Sequence, residues 1–149
     1  MTGLIHLHSS FRYLVLALII AAIADALVAM VNDKPWSKHH KLLNLLALIF
    51  SHIQLLLGLI LYIAGGKGLQ VLTQVEGFMK EPAARFFAVE HIAGMLLAIA
   101  LITVGYAKAK RAETDKKKHT ATIVYYTLGL LIIFVMIPWP FMRDFGSWF

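Results

Sequence analysis

Four long apolar runs, separated by shorter polar stretches, set the pattern of this chain: residues 11–31, 42–64, 84–107 and 120–137. Each is long enough for a helix that crosses a bilayer, which takes about 20 predominantly apolar residues. Within the second run the polar and small positions recur at helical spacing, as Asn44, Ala47, Ser51, Gln54, Gly58 and Tyr62. In the third, His91 shares a face with Phe87, Gly94, Ala98 and Gly105, so that small residues leave a trough beside the imidazole. A trough of this kind admits either a neighbouring helix or a flat cofactor. Helix boundaries carry their own signals: Gly65 and Gly66 stop the second run, Pro82 suits the first turn of the third helix, and Pro138 and Pro140 end the fourth. The expected fold is all-α, an integral membrane, antiparallel four-helix bundle, with residues 1–149 forming a single transmembrane domain.

Composition supports this pattern. The 149 residues are 60% hydrophobic and only 15% charged, with a mean hydropathy of +0.75, whereas soluble domains are nearer half apolar and a quarter charged. No stretch remains for a separate soluble domain. The absence of cysteine excludes disulfides, thiolate-held iron–sulfur clusters and cysteine zinc sites. The net charge of +6 does not point to nucleic acid, because the cations are concentrated between apolar runs, where they act as topology signals. Lys34, Lys38 and Lys41 lie between runs 1 and 2; Lys108, Lys110, Arg111, Lys116, Lys117 and Lys118 lie between runs 3 and 4. The remaining connection has Lys67 and Lys80 against Glu76 and Glu81. The positive-inside rule therefore places both lysine-rich connections in the cytoplasm and both termini outside, in a bacterial-type inner membrane.

Titratable side chains within apolar runs are costly and normally serve a purpose. His52 and His91 are the two imidazoles well inside such runs, while His6 and His8 stand on the outer lead-in to the first. At about 1.5 Å per residue, His52 falls ~18 Å above the cytoplasmic end of its helix, His91 ~25 Å and His8 ~34 Å. That ranking pairs His52 with His91 first, and His8 with His91 second. Arg12, one turn after His8, and Arg85, at the start of the third helix, are placed to hold an anionic group or to snorkel to headgroups. Asp25 is expected to find Lys41 or Asn44. His39, His40 and His119, among lysines, read as solvated loop histidines. Glu90 lies about 100° around its helix from His91 and is not expected to share a metal with it.

The segments LIHLHSSFRYLVL, SHIQLLLGLILY, RFFAVEHIAGM and IPWPF resemble small four-helix membrane proteins described as cytochrome b-like. The resemblance implies haem b in the bundle interior with His52 and His91 as axial ligands; the sequence adds a trough at Gly94 and Ala98 and Arg12 or Arg85 near the propionates. His39 and His52 are thirteen residues apart, near the spacing of a two-haem helix, but Val104 and Gly105 stand where an inner partner ligand would be needed. One haem, in the outer half, is the expectation. The implied role is electron transfer; the outer location of the site suggests membrane quinol as donor, with His6 or His8 accepting its proton. Two alternatives stay open: a non-haem metal site built from His6, His8, His52 and His91, and a non-catalytic accessory or assembly subunit. Expected partners are the lipid bilayer, quinone, and a second copy or a larger membrane complex.

Overall fold

The computed structural model describes residues 1–148, and every regular element among them is helical. Helix α1 spans Thr2–Val31 and α2 spans Lys38–Ala64. After a short helix α3, Leu69–Gln74, and a single 3-10 turn at Phe78–Lys80, α4 runs over Pro82–Arg111 and α5 over Asp115–Met136. Helices α1, α2, α4 and α5 are long and apolar enough to cross a membrane. In cross-section they follow one another around a square, α1 against α2, α2 against α4, α4 against α5, and α5 back against α1. The turn between α1 and α2, closed by Asp33 at φ 49°, and the three-residue link between α4 and α5 put the lysines at one end of the bundle.

The elements outgrow the apolar runs. Helix α1 begins nine residues before the first run, so His6 and His8 belong to the helix rather than to a lead-in. Helix α5 begins at Asp115, five residues before its run, with the Thr114 hydroxyl accepting from the Lys117 amide as an N-cap. Polar side chains that cap and anchor a helix terminus extend it past the apolar segment, a gain that hydropathy does not register.

Close approach of backbones holds the bundle together, as it does in membrane helices generally. Ala22, Ala26 and Ala29 of α1 are buried, and Ala47 and Ala98 are fully enclosed beside Ile19, Ile102 and Tyr126. A methyl added at Gly129 would meet the carbonyl oxygen of Ala98 at 3.1 Å, and one at Gly105 would meet Cβ of Tyr125 at 2.6 Å. The trough on α4 is therefore filled by α5.

Both diagonals of the square are bridged by polar groups. Towards the lysine-rich end, Asn44 of α2 accepts from the Thr122 hydroxyl of α5 (2.9 Å), and its carbonyl accepts from the Tyr126 hydroxyl (2.9 Å). Asn44 also donates back to the carbonyl of His40 (2.9 Å). Towards the opposite end, His8 of α1 meets His91 of α4.

Candidate functional site

His91 stands at the C-terminal edge of a π-helical turn, Phe86–Glu90, inserted near the start of α4. Such turns loosen the helical ladder and recur at functional sites. Here the Tyr62 hydroxyl from α2 donates to the carbonyl of Ala88 within the turn (2.9 Å). The His91 ring donates from Nδ1 to the carbonyl of Met136 at the end of α5 (2.7 Å). That bond fixes ring orientation and tautomer, leaving Nε2 with its lone pair for a metal or a proton.

The imidazole of His8 lies 6.4 Å from that of His91, centroid to centroid, with ring planes at 70°. Gln54 of α2 positions His8 by donating to its carbonyl (2.9 Å), and its amide nitrogen lies 3.4 Å from His8 Nε2. A methyl at Gly58 would meet the His8 ring at 3.1 Å, so glycine is what lets the imidazole lie against α2. His8 Nδ1 is buried without a partner, as is Oε1 of Gln54.

An aromatic shell closes this end. Phe86 and Phe87 lie 5.6 and 6.4 Å from the His91 ring, and Phe145 from the carboxyl-terminal tail packs on both phenyl groups. The Arg143 guanidinium sits 4.0 Å above the ring of Phe86. Arg12 is buried, 8% exposed, over the faces of Tyr13 and Trp139. It donates to the tail carbonyls of Ser147 (3.1 Å) and Trp148. Nε of both arginines is buried with no partner.

Several sequence expectations change here. His52 is exposed on the outer face of α2, one position round from the buried Ser51, and its Nδ1 donates to the carbonyl of Leu48 on its own helix (2.9 Å). It does not face His91. The structure instead supplies the second-ranked pair, and helix ends explain why. His91 is twenty residues above Arg111, and Gly58, which touches His8, is twenty above Lys38; at ~1.5 Å per residue they stand at equal height, with His52 roughly 9 Å lower. His6 is exposed too, so His6, His8, His52 and His91 do not converge. Among the described residues no three His, Asp or Glu side chains are grouped to hold a metal ion.

Gly94 and Ala98 do not line an open slot. The side chain of Met136 lies where a Gly94 methyl would go, its sulfur 2.7 Å from that position, and Ala98 is wholly buried against α5. Arg85 is occupied by Glu90 (2.6 Å) and by the carbonyl of Met79 (3.2 Å). Arg143 and Met136 were not anticipated; Gln54, in the polar stripe of α2, makes an interhelical hydrogen bond of the kind such a stripe implies, and its partner is His8. A cation within the aromatic stretch that follows Pro140 was the available signal for Arg143.

At the lysine-rich end, His40 and His119 are buried rather than solvated, at 7% and 1% exposure. Their rings lie 4.8 Å apart, with Trp36 against both. Asp25 pairs with His39 and His40, each at 3.4 Å, and not with Lys41 or Asn44. The polar ends of α2 and α5 reach past their apolar runs, which carries these histidines into the bundle.

Comparison of the chain with family models, curated proteins and solved structures gives no match. What the architecture defines is a four-helix membrane-protein fold with a diagonal imidazole pair at one end.

The tail contact yields a direct expectation. Arg12→Gln should free the segment after Pro140 from the end of α1, because the glutamine is too short to reach both carbonyls and has no cation to stack on Trp139. Trp148 fluorescence should shift to the red and trypsin cleavage after Arg143 should accelerate several-fold, while helix content by circular dichroism is unchanged. Unaltered cleavage would show that the tail does not depend on Arg12.

Proposed function

We propose that this protein binds one haem b through His8 and His91 and transfers electrons at the outer face of a bacterial-type inner membrane. The observation carrying this reading is the half-buried diagonal pair, 6.4 Å between ring centroids, with His91 locked onto the Met136 carbonyl. Metal–imidazole bonds of about 2 Å on each side bring two ring centroids to roughly 6 Å across one metal. The donor set therefore fits an iron held between two helices. The buried Nδ1 of His8 and the unpartnered Nε groups of Arg12 and Arg143 are the polar atoms such a group, with its carboxylates, would satisfy.

Bound there, haem would supply one-electron chemistry, and two imidazole ligands would leave no open position for oxygen activation. The chain's own residues do the rest. Gln54 and Gly58 seat His8 against α2; the Met136 carbonyl orients His91; Phe86, Phe87 and Phe145 exclude water. Membrane quinol is the donor class this location suits, and the exposed His6, two residues nearer the terminus, would take one of its two protons.

A second reading rests on Met136. Because its side chain already fills the space at Gly94, the pair would also serve as a hydrogen-bonded strut in a cofactor-free accessory subunit. Absorption of the purified protein separates the two: a Soret band with reduced α and β bands supports haem, and a colourless, well-folded protein supports the strut.

Orientation follows from the lysines at the other end. Reporter fusions in the link after Arg111 and at the carboxyl terminus should report opposite sides, the link cytoplasmic. Fusions reporting the same side would overturn the orientation.

A further inference from the structure

Away from the imidazole pair, an open cavity of about 480 Å³ lies at the lysine-rich end of the α4–α5 pair, lined by Lys108, Ala112, Lys116, Lys117, Thr120 and Ala121. Three lysines and a threonine are among the residues lining it, and no carboxylate lines it; the threonine hydroxyl is spent on the carbonyl of Lys116 (2.8 Å). The neighbouring cavity, beside the end of α1, differs, for Asp33 and Asp115 accompany Lys34 and Lys116 there. Asp115 is moreover held by Lys118 (3.0 Å), leaving the charges of Lys108 and Lys117 unquenched by it. Lys108 is not a free surface cation, since its ammonium is placed 5.5 Å above the ring of Tyr125 on the facing helix.

We propose that this cavity binds the phosphate headgroup of an anionic membrane lipid. A phosphodiester is recognised by clustered ammonium groups, and basic pockets between membrane helices at their polar ends bind such headgroups. The surface leading away from the cavity decides between a lipid and a free anion. One and two turns beyond Thr120 come Val124 and Leu128, and one turn before Lys108 comes Val104, all of them exposed apolar side chains. Ala112 and Ala121 form apolar walls at the cavity itself. Acyl chains continue from such a headgroup site down this face; inorganic phosphate has no use for it. The site is independent of any haem.

The test titrates the detergent-solubilised full-length protein with phosphatidylglycerol, phosphatidylcholine and inorganic phosphate, following the thermal unfolding midpoint. Phosphatidylglycerol should raise the midpoint, and phosphatidylcholine and phosphate should not. Replacing Lys108, Lys116 and Lys117 together by glutamine should weaken the apparent affinity for phosphatidylglycerol roughly tenfold or more. A matched-charge control, Lys38, Lys41 and Lys110 to glutamine, should retain it. Thr120→Glu, a single exposed change, should act like the triple variant by placing a carboxylate in the cavity, and it covers the case in which the triple variant does not fold. Equal losses in both triple variants would mean diffuse charge attraction and would overturn the site. Stabilisation by inorganic phosphate would make it a free-anion site, and no preference for phosphatidylglycerol would remove it altogether.

Discussion

Gly105→Leu is expected to prevent assembly of the bundle. A Cβ at position 105 would stand 2.6 Å from Cβ of Tyr125 and 3.2 Å from the ring of Tyr126. Neither can yield. Tyr125 carries Lys108 over its face, and Tyr126 is completely buried with its hydroxyl on the Asn44 carbonyl. Overpacking of a tight core costs about 1–3 kcal/mol where side chains alone must shift. At position 105 the α4 backbone itself would have to withdraw from α5, which would also loosen the Asn44–Thr122–Tyr126 bridge. Interhelical hydrogen bonds of this kind average ~0.6 kcal/mol in membrane proteins. The expected result is loss of the monodisperse peak in detergent, or a fall of roughly 4–8 °C or more in the unfolding midpoint, if ~2 kcal/mol or more is lost at about 2–4 °C per kcal/mol. Gly3→Leu is the control, because a methyl there meets nothing within 4 Å. A Gly105→Leu protein as stable as Gly3→Leu would show that α4 and α5 do not pair as described.

His91→Ala and His8→Ala are each expected to abolish haem retention. Removing either imidazole would remove one of the two side chains proposed to hold the iron, and the surroundings offer no replacement: Phe86, Phe87 and Phe145 have no donor atom, and Met136 is packed against Gly94. Changes to groups that only orient a metal ligand already cost 10–100-fold in affinity, so loss of a ligand should exceed about 100-fold. His52→Ala should leave the spectrum unchanged, since that ring is exposed and bonded to its own helix. His40→Ala and His119→Ala should also leave it unchanged, because both lie at the opposite end. The check is haem content per folded chain after size exclusion, with circular dichroism confirming helicity. Haem lost with His52→Ala and kept with His8→Ala would restore the pairing that sequence depth favoured.

Four apolar runs and two lysine-rich connections made the spanning helices and their order legible, because the bilayer imposes a length and hydropathy on each helix regardless of its neighbours. The candidate site was less legible, and the reasons are local. His52 and Ser51 differ by about 100° of rotation, and sequence period alone could not say which of the two faces the bundle. The height of His91 depended on where α4 ends, and that end lies four residues beyond the last apolar position, in Lys108 to Arg111. The trough at Gly94 and Ala98 was visible as small residues, but its occupant was not: a methionine on another helix, forty-two positions from Gly94, fills it. His119 read as a solvated histidine among lysines because hydropathy averages over its neighbours. In the fold its helical face turns it onto Trp36 and His40.

The central claim, an iron held between His8 and His91, is tested most directly by near-infrared magnetic circular dichroism of the oxidised full-length protein produced with haem available. That band reports the pair of axial ligands on a low-spin ferric haem. The result expected is a bis-imidazole signature at one haem per chain, lost in His8→Ala and in His91→Ala. A protein that is folded and monodisperse but carries no haem, or one whose band indicates an axial pair other than two imidazoles, would contradict it.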